Sequence, residues 1–178
     1  MNTKLIGFVL LSVGVMANGM AAGHKLCFPA VTAEMVEAPM AVVSNGLAGA
    51  SGPYLEIPEG AGNPPKVMTG KAVYSVEIPA DAEYTLWARV WWDGECGNSF
   101  TVAFDDLPGF IFGEDATYKV WHWVKYPMSR TAKPIRLTKG KHTLTFNNRE
   151  DGVCLDQILL SADKRFVPVE VEKVGSHQ

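Results

Sequence analysis

The chain has 178 residues, enough for one domain with a sizeable core. Sixteen basic residues stand against nineteen acidic ones, a net charge of −3. No basic tract or aromatic-interleaved basic segment is present, so nucleic acid is not an expected partner, and a mild negative balance bears on solubility rather than on recognition.

Met1-Asn2-Thr3-Lys4 is a short basic lead, and Leu5 to Met16 is an apolar run too short for a spanning helix. Small residues follow, with cleavage expected after Ala21, Ala22 or Gly23. Residues 1–22 therefore read as a secretory signal peptide, and the mature protein is expected to be secreted or periplasmic, with no membrane span once the leader is gone. His24-Lys25-Leu26 before Cys27 is not a lipobox. Loss of Lys4 with the leader takes the net charge from −3 to −4. Cys27, Cys96 and Cys154 stay in an oxidising compartment, and an odd count leaves one paired elsewhere or free.

Residues 25–170 read as one domain and 171–178 as a polar tail. Ala30 to Val43 reads as two short strands broken at Pro39, and Asn45 to Gly52 as a loop. Tyr54 to Ile57 is a brief strand. Pro58 to Gly70, with Asn63-Pro64-Pro65 at its centre, is a long surface loop. Ala72 to Ile78 alternates, setting Tyr74, Val76 and Ile78 against Val73, Ser75 and Glu77.

Tyr84 to Trp92 is the strongest strand, with Tyr84, Leu86, Ala88 and Val90 on one face and Thr85, Trp87, Arg89 and Trp91 on the other. Trp91 and Trp92 point to opposite faces, so at least one should leave the core. Ser99 to Phe104 turns Phe100, Val102 and Phe104 inward. Leu107 to Tyr118 is a looser aromatic region. Val120 to Val124 is a strand carrying Trp121 and Trp123, and Ile135 to Leu137 is a short one. No amphipathic helix follows the leader, and short strands between turn signals predict an all-β, two-sheet antiparallel sandwich.

The closing stretch, LTKGKHTLTFNNREDGVCLDQILLS, organises the rest. His142 to Phe146 is a half-buried strand, Asn147 to Gly152 a charged loop, and Cys154 to Leu160 a strand too apolar for one exposed face, hence central in its sheet. Asp156 interrupts that apolar run. A carboxylate there must be paired, metal-bound or hydrogen-bonded, with Arg149 or backbone amides as protein partners.

The order GKAVYSVEIPADAEYTLWARV, GNSFTVAFDD, YKVWHWV and GKHTLTFNNREDGVCLDQILLS resembles the galactose-binding-like jelly roll, and within it carbohydrate-binding modules of the family 6 and 35 kind. The resemblance covers roughly residues 33 to 168. It implies a structural calcium: Asp156 matches the acid of the last strand, and Glu34 one acid of a first-strand motif that here reads Thr32-Ala33-Glu34. Calcium needs six or more oxygens, so backbone carbonyls would have to complete the shell. The resemblance also implies a sugar stacked on an aromatic among loops at one end of the sandwich. Trp121 or Trp123 is then the platform, one ring exposed and one buried unless both are core. Trp92, Asn98, Arg149, Glu150 and Asp151 are further contacts, unless the four polar residues form a solvated loop with an internal ion pair. It further implies that the loop holding Cys96 meets the one before Cys154, giving a Cys96–Cys154 disulfide with Cys27 left over. Three reduced thiols, or a pairing with Cys27, are the alternatives.

No catalytic constellation is evident. Asp105-Asp106 and Glu150-Asp151 are adjacent acids that do not flank a sugar bond, His122 and His142 are lone, and nucleophile, phosphate-loop and zinc motifs are lacking. The reading is a secreted, non-catalytic binder of a polysaccharide or glycan. A structural or adhesive protein of the cell exterior, using the sandwich for contacts with other cell-surface proteins, is the alternative.

Overall fold

The computed structural model describes residues 23–129 and 131–177; the leader assigned to residues 1–22 lies outside them. Thirteen strands and one 3-10 turn are present among the described residues, in the order β1 (Lys25–Pro29), the turn Ala30–Thr32, β2 (Met35–Glu37), β3 (Ala41–Val43), β4 (Tyr54–Ile57), β5 (Lys71–Ile78), β6 (Ala82–Trp92), β7 (Ser99–Phe104), β8 (Phe110–Gly113), β9 (His122–Tyr126), β10 (Ile135–Leu137), β11 (Gly140–Asn148), β12 (Val153–Ser161) and β13 (Gly175–His177). They form two antiparallel sheets. The larger is built on the order β10-β6-β12-β1-β13, with β9 also along β6 and β4 joining β12 to β3; the smaller has the order β2-β5-β11-β7-β8. This is the expected all-β jelly-roll sandwich. Among the described residues no helix is long and apolar enough to cross a membrane.

The core lies between the sheets and follows from period-two patterning. The smaller sheet contributes Tyr74, Val76 and Ile78 of β5, Phe100, Val102 and Phe104 of β7, Phe112 of β8, and Leu144 and Phe146 of β11. Phe146 sits among Phe100, Phe112 and Tyr74 at centroid separations of 5.6, 5.9 and 6.3 Å, all near edge-to-face. The larger sheet contributes Leu86, Ala88, Val90 and Trp92 of β6 and Val153, Leu155, Ile158 and Leu160 of β12.

All nine residues of β12 are buried, as its apolar run predicted. The strand is flanked on one side by β6 and on the other by β4 and β1. Its ladder with β6 shifts between Leu155, opposite Val90, and Gln157, opposite Arg89. A bulge thus accommodates Asp156, and the inward-facing positions change from 153 and 155 to 158 and 160 across it.

Three strands lie where the sequence reading has none. β1 is in the segment before Ala30, β8 is inside the region read as loose, and β13 is in the segment read as a polar tail. β13 pairs with β1, Lys25 opposite His177 and Cys27 opposite Gly175. The residues leading to β13 cross the outer face of the larger sheet. Glu172 exchanges two hydrogen bonds with the Gln157 side chain, at 2.9 and 3.0 Å, and pairs with Lys25 at 3.0 Å. A second apolar cluster of Cys27, Trp87 and Leu159 forms beneath, with Trp123 and Phe166 packed on it.

The Cys96–Cys154 disulfide is corrected by the structure, in which all three cysteines are free. The two loops do meet: the Asp93 amide donates to Gly152 O at 2.9 Å, and a Cβ on Gly97 would lie 2.5 Å from Asp151 O. Cys154 nevertheless belongs to β12, laddered between Trp91 and Glu56 and buried, while Cys96 is exposed on the turn closed by the Gly94–Gly97 bridge. Burial, with Glu172 nearby, pushes the Cys27 thiol up to about 12, and burial beside Glu56 and Asp93 raises Cys154 as well. Thiolate is the reactive form. An alkylating reagent at neutral pH should therefore modify one thiol, Cys96, in the native protein and all three after unfolding. Native protein protected at Cys96, or modified at Cys154, would contradict this placement.

Candidate functional site

The outer face of the larger sheet carries four of the five tryptophans. β6 presents Trp87, Arg89 and Trp91 there by simple alternation. Alongside it, β9 places Trp123 opposite Arg89 and Lys125 opposite Trp87, with Trp121 just before the strand. An arginine amid aromatic rings in the middle of a sheet needs a counter-charge, and the bulge in β12 supplies it.

Arg89 is 7% exposed and Asp156 fully buried. The Arg89 Nη1 donates to Asp156 Oδ2, and Nη2 donates to Gly49 O at 2.9 Å. Ser51 completes the set, its hydroxyl donating to Asp156 Oδ1 at 2.6 Å and its amide approaching both oxygens at 3.1 and 3.2 Å. The Asp156 carboxylate is therefore paired and also caps a backbone amide, as one reading of the sequence had it, but its cation is Arg89 rather than Arg149.

The loop at residues 44–53 is tied down by these bonds and by Tyr54, whose hydroxyl accepts from the Leu47 amide at 3.0 Å. Tyr54 meets Trp121 edge-on with centroids 5.2 Å apart, and the Arg89 guanidinium lies 5.4 Å from the Trp121 ring centre. Gly49, at φ +85°, brings backbone against Trp121: a Cβ there would sit 3.5 Å from Cδ1. What remains open is a pocket of about 290 Å³ lined by Ala48, Gly49, Arg89, Trp91, Lys119, Val120 and Trp121. Trp121 is half-buried with its indole nitrogen inside, so the surface it offers solvent is carbon.

The other candidates fall elsewhere. Trp123 Nε1 donates to Glu170 O at 2.8 Å, and the ring packs on the cluster under Phe166, so the C-terminal segment covers it. Trp92 is corrected from contact to core: it is 0% exposed and packs against Phe100 at 5.6 Å, which leaves no surface for a ligand. Trp91 is the member of that pair that leaves the core, as the strand alternation required.

Asn98, Arg149, Glu150 and Asp151 form a brace at one end of the sandwich, and none of them lines the tryptophan pocket. Arg149 donates to Ser99, to Glu150 at 2.7 Å and to Glu114 at 2.8 Å. Glu150 accepts from the Ser99 hydroxyl at 2.6 Å and from the Asn98 amide at 3.0 Å, and Asp151 from the Gly62 amide at 2.8 Å. Their chemistry is spent on holding the loops together.

Glu34 and Asp156 do not fit a calcium shell. Glu34 is exposed on the segment entering β2, at the margin of the smaller sheet, whereas Asp156 is buried in the larger one with its oxygens committed to a guanidinium and Ser51. A cation already beside the carboxylate opposes a second one. Among the described residues no cluster of three or more His, Cys, Asp or Glu side chains could hold a metal ion.

Arg89, Trp91, Lys119 and Ser51 belong to the site and were not singled out for it in the sequence. A signal for the first was present: Arg89 and Asp156 each interrupt an apolar strand, and two such charges in one sheet predict each other.

Removing one member of a buried pair leaves the other uncompensated. Asp156→Asn should cost about 3–5 kcal/mol in chemical denaturation, while Arg89→Met combined with Asp156→Leu should recover most of that loss. A single variant as stable as wild type would mean the pair does not hold the loop.

No protein family profile and no curated protein matches the chain. Solved structures do. The Podospora anserina GH26-CBM35 β-(1,4)-mannanase aligns with a TM-score of 0.61 and 15% identity over 83% of this chain, which spans 30% of the mannanase chain. A family 35 carbohydrate-binding module from Clostridium thermocellum aligns at 0.56, with 13% identity over 76% of this chain and 96% of the module. The C-terminal CBM6 of LamC, a marine laminarinase from Zobellia galactanivorans, aligns at 0.54, with 13% identity over 77% of this chain and 98% of that one. The fold of this chain is that of the family 6 and family 35 carbohydrate-binding modules.

Proposed function

We propose that the protein is a non-catalytic carbohydrate-binding domain working outside the cytoplasm, with Trp121 as its sugar platform. The observation that carries this is the open pocket in which Trp121, backed by Tyr54 and Arg89, offers carbon surface to solvent beside Trp91. Pyranose C–H faces stack on such a surface, and the hydroxyls need donors nearby. Lys119 can supply them: its side chain is 69% exposed and only loosely paired with Asp93, at 3.8 Å. Two structural neighbours that match this chain over nearly their whole length are themselves carbohydrate-binding modules, which supports a glycan as the ligand. The platform lies on the outer face of the larger sheet beside the loop at residues 44–53, not among the polar loops at the sandwich end.

The residues of the adjacent acid pairs are largely engaged with the protein itself. Asp105 bonds His142 at 2.7 Å and the Thr143 amide at 2.9 Å, and Glu150 and Asp151 belong to the loop brace. This supports binding rather than hydrolysis. One observation favours the adhesive alternative: Val167, Val169 and Val171 are 64%, 70% and 49% exposed, an apolar row along the C-terminal segment suited to protein contact.

A glycan-array screen followed by calorimetry on the best ligand tests the proposal. Trp121→Ala should weaken that ligand about tenfold or more, since stacking contributes on the order of 1 kcal/mol beyond the area it buries. Trp123→Ala should lower stability and leave affinity unchanged wherever the fold persists. Absence of any glycan ligand, or loss of affinity only in the Trp123 variant, would overturn the assignment.

A further inference from the structure

A second opening shares no lining residue with the tryptophan pocket. It lies between the sheets, where the larger one has a gap in its edge: β9 leaves β6 at Tyr126, opposite Leu86, and β10 rejoins it at Ile135, opposite Tyr84. On the smaller sheet β8 is the outermost strand, and Phe110 faces the gap, stacked on Tyr126 with centroids 3.8 Å apart. Behind these rings the cavity reaches Phe104, Ile135 and Leu137, which are 3%, 7% and 4% exposed, so its floor is the sandwich core. Its volume is about 350 Å³, within the usual range for small-molecule sites, and Leu107, Pro108 and Pro134 complete an apolar rim.

The charges at this opening have one sign. Lys133 and Arg136 line it, and no acid does. Arg136 is paired with Glu83 at 3.1 Å, and Glu83 is shared with Lys164 at 2.7 Å. Among the described residues Lys133 forms no ion pair. A sugar does not suit such a cavity, because its hydroxyls would be buried against Phe104, Ile135 and Leu137 without partners.

We propose that this inlet binds a free single-chain amphiphile with an anionic head, an alkyl carboxylate of medium length. The tail lies along the stacked Phe110–Tyr126 pair toward Phe104, Ile135 and Leu137, and the head meets Lys133 at the mouth. The inference does not depend on the glycan reading, since the two pockets are separate.

The test is a titration of the protein with hexanoate, octanoate and decanoate below their micelle concentrations, followed by amide shifts and calorimetry. Shifts should centre on Phe110, Tyr126 and the Ile135–Leu137 strand, and each added methylene should strengthen binding about fourfold until the cavity is full. Decanoate should bind at least about fivefold tighter than decyltrimethylammonium, since the exposed Lys133 attracts one head group and repels the other. Lys133→Glu, a change at an exposed residue that leaves the fold intact, should remove that preference. Equal affinity for the two head groups, shifts at the Trp121 pocket instead, or no binding by any of the chains would overturn the proposal.

Discussion

The buried pair of Arg89 and Asp156 is the constraint on which the outer face of the larger sheet depends. Two charges have been taken out of water in the middle of a sheet, which is tolerable only when the geometry is good and the remaining donors and acceptors are satisfied. Three features satisfy them. The bulge at Asp156 aims the carboxylate at Arg89, Ser51 fills its remaining oxygen positions, and Gly49 offers a carbonyl to the second guanidinium nitrogen. Strands β6 and β12 and the loop at residues 44–53 are thereby locked to one another, and Trp121 is seated against that loop.

Two separate covers finish this face. The C-terminal segment lies over Trp87, Trp123 and Leu159, sealed by Phe166, the Glu172–Gln157 exchange and the indole bond from Trp123. The loop at residues 44–53 covers Tyr54 and one side of Trp121. Together they explain why β12 is buried on both faces in a two-layer fold, where an outer face would ordinarily be wet. The tryptophan pocket is the area between the covers. Arg89 belongs to the buried pair and to the pocket wall at once, so the charge that holds the loop also shapes the candidate binding surface.

Much of the fold was legible in the sequence because it rests on alternation. The faces of β5, β6 and β7 could be read residue by residue, since polar and apolar side chains take turns there, and β12 could be placed centrally because it lacks that pattern. The same lack hid the bulge: with apolar runs before Asp156 and after Gln157, a change of inward parity leaves no trace. β1, β8 and β13 were missed because each is a short stretch with a weak pattern that becomes a strand by pairing with a longer neighbour. The site was legible only in part. Trp121 stood out as a ring on a strand, but its distinction from Trp123 lies in what covers each, and the C-terminal segment that covers Trp123 carries no such signal. Asn98, Arg149, Glu150 and Asp151 have the composition of a ligand-binding loop, and only their hydrogen-bond partners show that the protein itself satisfies them.

The most direct measurement of the central claim is the indole N–H region of the two-dimensional proton–nitrogen NMR spectrum, recorded as a binding glycan is added. The five tryptophans report from three distinct places: Trp92 in the core, Trp87 and Trp123 under the C-terminal segment, and Trp91 and Trp121 at the open pocket. Stacking of a sugar on Trp121 should move its resonance, with a smaller displacement at Trp91, and leave Trp87, Trp92 and Trp123 in place. A saturable shift at Trp123, with Trp121 unchanged, would contradict the claim.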